Sequence, residues 1–462
     1  MAELATPSSE DVPAPPPAQA RARPEAPRKG DRGHPWWLKT LAAMGAVALG
    51  AAILTLFFSF GRRPVLIELT ANPAVNEPEF LLAVAGNAGV PIERGGTAQL
   101  LNNGDEFFPA LLDALRGAQR SITWFVYIWE DGEASRPIIA ALLERARAGV
   151  EVRVLLDAMG STSSPEKELE GLRSAGAKVA TFREAEFGKL TRFHMRNHRR
   201  AIVVDGAIGF TGGMAVGDKW LGHAQDEEHW RDAMVRVTGP MARGLQTAFA
   251  SSWAHTTGEV LVGSQFFPDP PVVAARGEPV ALSVAIASAP AAEDHPLRLL
   301  YVQTFAAARR KLYLQNSYFV PDETVRRVIR ARARAGVDVR ILVPGENTDA
   351  KPIRQTGHRY YEELMADGVR IYEYEPTMMH AKNVVVDGLW SVVGSANMDV
   401  RSKELNHENV IGILDAGFAR QVEGAFLDDL RRSRQISLEE WRRRGPLKRF
   451  TESVSRLFAE QY

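Results

Sequence analysis

Two distant stretches of this chain are near copies of each other. Ala146 to Leu156 reads ARAGVEVRVLL and Ala333 to Val343 reads ARAGVDVRILV, identical at eight of eleven positions. Such a repeat constrains the fold strongly, because both copies must build the same supersecondary unit. Each copy is preceded by apolar residues at helical spacing: Ile138, Ile139, Leu142 and Leu143 in one, Val325, Val328 and Ile329 in the other. The glycine ends the helix and a β-branched run follows as a strand. Further strands are expected upstream, from Ile122 to Tyr127 and from Lys311 to Leu314. Strand, helix, strand in each half predicts an α/β sandwich built twice.

Each half continues into a second shared pattern. In the later half it is His380-Ala-Lys382, four residues, Asp387-Gly388, then Gly394-Ser395-Ala-Asn397. Side chains two apart on a strand share a face, so His380 and Lys382 are expected to point together. Asp-Gly is a strong hairpin turn, and the return strand is expected to bring Ser395 and Asn397 back beside His380. The earlier half carries His198-Arg-Arg200, four residues, Asp205-Gly206, then Gly212-Gly213-Met-Ala215, at the same spacing. One end of each hairpin thus gathers an imidazole and a cation. Two such ends facing each other could grip an anionic phosphate.

Composition sets the outer bounds. The 462 residues include 45% hydrophobic and 24% charged side chains, ordinary for a globular protein with a sizeable core. Lys+Arg and Asp+Glu are both 56, so global charge makes no case for nucleic-acid binding. No cysteine is present, which excludes disulfides, thiolate metal sites and a cysteine nucleophile.

Residues 1–34, rich in Pro, Ala and charge around Pro15-Pro16-Pro17, are expected to be a disordered tail. Residues 35–63 read as a membrane anchor. Leu41 to Phe60 is a 20-residue run without a charge, with Trp36 and Trp37 before it and Arg62-Arg63 after it. A cleaved signal peptide is the rival reading, against which stand the run's length and its distance from the N-terminus. The excess of Arg and Lys before the run favours an inside N-terminus, with the large domain on the outer face. Residues 64–258 and 297–435 read as the two halves, 259–296 as their connection, and 436–462 as a C-terminal amphipathic helix. That helix has Leu447, Phe450, Val454, Leu457 and Phe458 on one face, which either packs on the domain or lies on a membrane. The arginines of 326–334 read as a solvated helix face, with lipid headgroups as the alternative.

The paired motifs resemble the twice-given HxK-x4-D signature of the phospholipase D superfamily, over about residues 97 to 435. Finer features resemble its bacterial cardiolipin synthase branch: Asn197-His198-Arg199, Thr211-Gly212-Gly213, Trp230-Arg231-Asp232, Tyr318-Phe319-Val320-Pro321 and Gly394-Ser395-Ala396-Asn397-Met398-Asp399. The resemblance implies two fused halves about a pseudo-twofold axis and a two-step reaction. One histidine attacks phosphorus and forms a phosphohistidine, while the other serves as acid and then base. By family analogy the nucleophile is His198 and the other histidine is His380. Arg200 and Lys382 would stabilise the phosphoryl oxygens, and Ser395, Asn397, Gly212 and Gly213 would line the phosphate site. A downstream carboxylate would orient each histidine, by position Asp232 and Glu408, whereas Asp205 and Asp387 would hold the turns. No metal and no cofactor is implied. Arg200 and Ala215 depart from the pattern, so phosphate contacts in the first half should differ.

The implied function is phosphatidyl transfer between membrane phospholipids, two phosphatidylglycerols giving cardiolipin and glycerol. Three alternatives stay open: a phospholipase D that passes the group to water, a nuclease, and an inactive membrane scaffold. Neutral charge and the anchor weigh against the nuclease.

Overall fold

A computed structural model describes residues 36–59, 66–182, 196–269, 280–288, 295–399, 402 and 406–444, with side chains of 51–59 outside the described set. The chain divides into two compact units, 1–64 and 65–462. In the first, Trp36–Ser59 forms a 24-residue helix. Over the described residues no helix is long and apolar enough to cross a membrane. The expected tail (1–34) and most of the expected C-terminal helix (445–462) lie outside the described residues.

The second unit contains the repeat. Its strands in chain order are β1 (Glu93–Arg94), β2 (Ala98–Asn102), β3 (Ser121–Val126), β4 (Glu151–Asp157), β5 (Lys178–Phe182), β6 (Ala201–Val204), β7 (Ile208–Gly212), β8 (Ala233–Thr238), β9 (Leu282–Ser288), β10 (Lys311–Gln315), β11 (Asp338–Pro344), β12 (Arg370–Tyr374), β13 (Asn383–Val386), β14 (Trp390–Gly394), β15 (Glu408–Leu414) and β16 (Ser433–Gln435). Among the described residues they form a seven-stranded sheet, β2-β8-β7-β6-β3-β4-β5, and a nine-stranded sheet, β1-β9-β15-β14-β13-β10-β11-β12-β16. Without its two edge strands, the larger sheet repeats the order of the smaller one strand for strand.

The repeated sequence is the helix-to-strand joint of each half. Ser135–Arg147 and Glu323–Arg334 are the helices, Gly149 and Gly336 take φ of 86° and 85°, and β4 and β11 follow. These left-handed positions suit glycine, which has no Cβ to clash. Both helices make parallel crossovers, β3 to β4 and β10 to β11.

Apolar clusters fill each half: Phe107, Leu111, Trp124 and Ile138 in the first, Leu297, Phe305, Ile329 and Ile341 in the second. A third cluster is shared, with Val203 and Val235 from the smaller sheet against Val385, Ile411 and Ile413 from the larger. The two halves therefore share a core.

Two boundaries differ from expectation. Residues 78–94, expected in the first half, belong to the second: Phe80, Leu81 and Val84 enter its core and β1 pairs with β9. β9 itself lies inside 259–296, expected as a connection, and pairs with β15 along its whole length. Its short run LSVAIAS is a strand because both its neighbours in the sheet are long-range partners. Of the arginines of Glu323–Arg334, Arg327 and Arg334 are exposed as a solvated face requires, while Arg326 and Arg330 are half-buried and pair with Glu363 or Asp367.

Candidate active site

The two hairpins form as their turns dictate. Asp205-Gly206 and Asp387-Gly388 have positive φ throughout, at 52° and 65°, and 54° and 69°. The regular strands start only at Ala201 and Asn383, so His198 and His380 lie on extended segments just before them. Those segments are held from the opposite half. His198 N donates to His407 O at 2.9 Å and His407 N to Arg196 O at 2.8 Å; His380 N donates to Arg231 O at 2.7 Å and Arg231 N to Met378 O at 2.9 Å.

The side chains cross in the same way. His198 Nδ1 is 3.1 Å from Glu408 Oε2, and His380 Nδ1 is 2.7 Å from Asp232 Oδ2. Glu408 opens β15 of the second half and Asp232 immediately precedes β8 of the first. Each histidine therefore takes its carboxylate from the other half, and both carboxylates are fully buried. Asp232 is saturated with donors: besides His380, Trp220 Nε1 donates to it at 3.0 Å and Ala233 N at 2.8 Å. Any Cβ at Gly213 would overlap this carboxylate, so glycine is required there. Glu408 instead accepts a bond from Ser395 Oγ. Ser395, expected beside His380, hydrogen-bonds through its hydroxyl to the carboxylate that pairs with His198.

Two cations occupy the same buried space. Lys382 Nζ donates to the carbonyl of His380. Arg200 Nη1 lies 3.0 Å from both ring nitrogens of His198 and 3.0 Å from its carbonyl. Arg200 Nε and Nη2 are buried and have no hydrogen-bond partner among the described residues. A buried guanidinium with unpaired N–H groups is costly and is relieved by an anion. Asn409 fixes its backbone, accepting from Arg200 N at 2.9 Å and donating to Arg200 O at 3.0 Å.

Burial and mutual charge set the protonation of the site. Burial and the Lys382 charge push His380 down to about 4, against the pull of Asp232. Burial would raise Asp232, but His380 and Lys382 outweigh it and hold the carboxyl below its usual range. Burial takes Lys382 down to about 7, opposed by Asp232 and reinforced by Arg200. Burial lifts Glu408 to about 8, against Ser395 and Arg200. Arg200 acts on His380 and Lys382, and Glu408 acts on Lys382, so the two motifs share one electrostatic field.

Other expected residues fall elsewhere. Asp205 and Asp387, grouped with the catalytic motif, stand a strand's length from the histidines. Asp205 accepts backbone N–H bonds from Gln119, Arg120 and Ser121, and Asp387 from Arg309, Arg310 and Lys311. They tie each hairpin turn to the start of β3 or β10. A Cβ at Gly212 (φ 156°) would overlap Ala233 O, so this glycine allows a close strand approach. Asn397 accepts from Ser317 Oγ at 2.8 Å. Ala215 faces no such partner; Tyr127 stands at the place corresponding to Ser317, its ring edge-on to His198 at 4.7 Å. His407 contributes its backbone to the His198 bridge, and His229 pairs with exposed Asp226.

Several residues take a place in the site that the motifs did not assign them. Trp220 and Trp230 surround His380, with ring centroids 6.1 and 5.3 Å away. Asp157 ends β4 and accepts from Asn197 N at 2.9 Å, steadying the His198 segment. Arg199 donates to Ser252 Oγ and to Ser288 O of β9, each at 2.7 Å. Two tryptophans in an otherwise polar loop, DKWLGHAQDEEHW, were the available signal for the first pair.

The family model described as "Cardiolipin synthase, PLD-like domain" matches residues 111–253 and 301–430. Cardiolipin synthase A of Pseudomonas fluorescens (strain SBW25) is 36% identical over 401 residues, covering 86% of this chain and 81% of that protein. A cardiolipin synthase of Geobacillus thermodenitrificans (strain NG80-2) is 34% identical over 401 residues, covering 86% and 79%. Among solved structures, phosphatidylserine synthase of Haemophilus influenzae Rd KW20 has a TM-score of 0.60 at 15% identity, covering 83% of this chain and 97% of that one. That likeness is one of fold. With its doubled sheet order and its two crossed histidine sites, this chain belongs to the cardiolipin synthase family of PLD-like proteins.

Proposed function

We propose that this protein transfers a phosphatidyl group between phospholipids, converting two phosphatidylglycerols into cardiolipin and glycerol. The observation that carries the reading is the crossed arrangement of His198–Glu408 and His380–Asp232 around buried Arg200 and Lys382. Each imidazole is oriented by its carboxylate through Nδ1, and Nε2 is the nitrogen for chemistry; at His198 that nitrogen lies 3.0 Å from Arg200 Nη1, which turns to the phosphate oxygens when substrate binds. The unpaired N–H groups of Arg200 match the oxygens of a phosphodiester, and family membership supplies the substrate class.

His198 attacks phosphorus, and the phosphorus–oxygen bond to glycerol breaks as His380 gives the leaving oxygen its proton. The second lipid's hydroxyl then returns that proton to His380 while its oxygen displaces His198. In the empty site His380 is held down at about 4. A bound phosphodiester anion beside Lys382 and Arg200 raises it towards the protonated form that the first step needs. The residues call on no cofactor. From the charge-free run Leu41 to Phe60 and the basic excess before it, we infer a membrane anchor with the catalytic domain on the outer face. A reporter fused after Tyr462 should give its external signal, and a cytoplasmic signal would invert the topology.

The test is purified full-length protein in phosphatidylglycerol micelles, with lipid products resolved by mass spectrometry. Cardiolipin with released glycerol is expected. Phosphatidic acid alone would make the enzyme a hydrolase, and no turnover of any phosphodiester would leave a scaffold.

A further inference from the structure

The two half-sites are unequal in one respect that the proposed reaction leaves unused. The connection from Gly212 to Asp232 is longer than its counterpart from Gly394 to Glu408, and it carries Lys219, Trp220 and Trp230 to the side of His380. Trp220 is buried and holds Asp232. Trp230 is only half-buried, and its ring lies 5.3 Å from that of His380. Lys219 Nζ stands 5.0 Å from the Trp230 centroid and 4.9 Å from that of Trp220. Its one carboxylate partner among the described residues is Glu130, at 2.8 Å, and both side chains are partly exposed. Such a pair is weak and readily shares its ammonium with another anion. The backbone fixes the arrangement, since Trp230 N donates to Lys219 O at 2.7 Å.

We propose that Trp230 and Lys219 form the subsite for the headgroup of the entering lipid, with Lys219 taking that lipid's own phosphate. In an in-line displacement the entering and leaving oxygens occupy the side opposite the attacking nitrogen. With His198 as nucleophile, that side belongs to His380. A glycerol lying on the Trp230 ring reaches from His380 at one end to Lys219 at the other, its carbon-bound hydrogens against the aromatic face. In the second step its terminal hydroxyl oxygen bonds to phosphorus, the phosphorus–nitrogen bond to His198 breaks, and the hydroxyl proton passes to His380 Nε2. Water has neither a glycerol to stack nor a phosphate to pair. The subsite therefore selects a lipid acceptor over hydrolysis.

This inference rests on the reading of the enzyme as a phosphatidyltransferase, and the test separates the two. Full-length protein in phosphatidylglycerol vesicles is given labelled glycerol or labelled glycerophosphate, and label entering lipid is measured for each acceptor. The wild type should prefer glycerophosphate. Lys219→Ala should lower that preference about tenfold, the effect of one charge-assisted hydrogen bond. Lys219→Arg should restore most of it, and Trp230→Leu should weaken transfer to both acceptors relative to hydrolysis. An unchanged acceptor ratio in Lys219→Ala, with transfer still running, overturns the subsite and leaves the transferase reading intact. Hydrolysis without transfer in the wild type overturns both.

Discussion

Lys382 carries the most consequential charge in the site. Burial and Arg200 bring it down to about 7, so in the empty enzyme its ammonium is present below that pH and lost above it. The ammonium should assist catalysis only while protonated, so kcat/KM, already declining above about 4 as free-enzyme His380 loses its proton, should fall more steeply as pH rises through about 7. Once a phosphate anion is bound the ammonium is stabilised, and the matching limb of kcat should lie at higher pH. Lys382→Arg should abolish the neutral-pH limb, and Lys382→Ala should cost on the order of 10²-fold in kcat, as loss of a transition-state donor does. Initial rates across pH for the three forms check this. Gly213 is as sensitive for a steric reason: the Cβ of Gly213→Ala would overlap the Asp232 carboxylate. Turnover should fall by about 10²-fold or more through misplacement of His380, measured in a variant whose melting temperature shows it folded.

At the level of elements, the local pieces were readable and their partners were not. The helix–glycine–strand joints and the two Asp-Gly hairpins formed where their residues placed them, because helix ends and tight turns depend on a few adjacent residues. The crossing of His198 to Glu408 and His380 to Asp232 has no local signal, since motif spacing says nothing about which half supplies a partner. The bond from Ser395 to Glu408 has no local signal for the same reason. β9 was missed because a strand completed by distant neighbours looks like any short apolar run. Trp220 acts through Asp232, and only the fold brings them together. The same long-range wiring makes a prediction about stability. Arg231 Nε donates to Asp429 at 2.9 Å with both side chains buried, joining the segment before β8 to the helix Ala416–Arg431. Arg231→Ala would leave that buried carboxylate without its ion-pair partner, with Gln315 Nε2 at 2.7 Å as its remaining donor among the described residues, and should destabilise the protein by about 3 kcal/mol in urea unfolding.

At the largest scale, the unit 65–462 is one catalytic body made of two incomplete halves. Neither half holds a histidine together with its carboxylate, and the core containing Val203, Val385 and Ile411 is shared. The central claim is that this shared site works by covalent transfer through two histidines with different duties. The most direct measurement traps the intermediate on a phosphatidyl ester with a good leaving group, which needs little acid assistance to depart. After rapid quenching, the labelled peptide is mapped in the wild type, His198→Ala and His380→Ala. The account predicts a phosphorus–nitrogen adduct on His198 that accumulates in His380→Ala, where the second step lacks its base, and is absent in His198→Ala. An adduct on His380 would exchange the two roles, and full turnover by His198→Ala without any adduct would contradict the two-histidine mechanism itself.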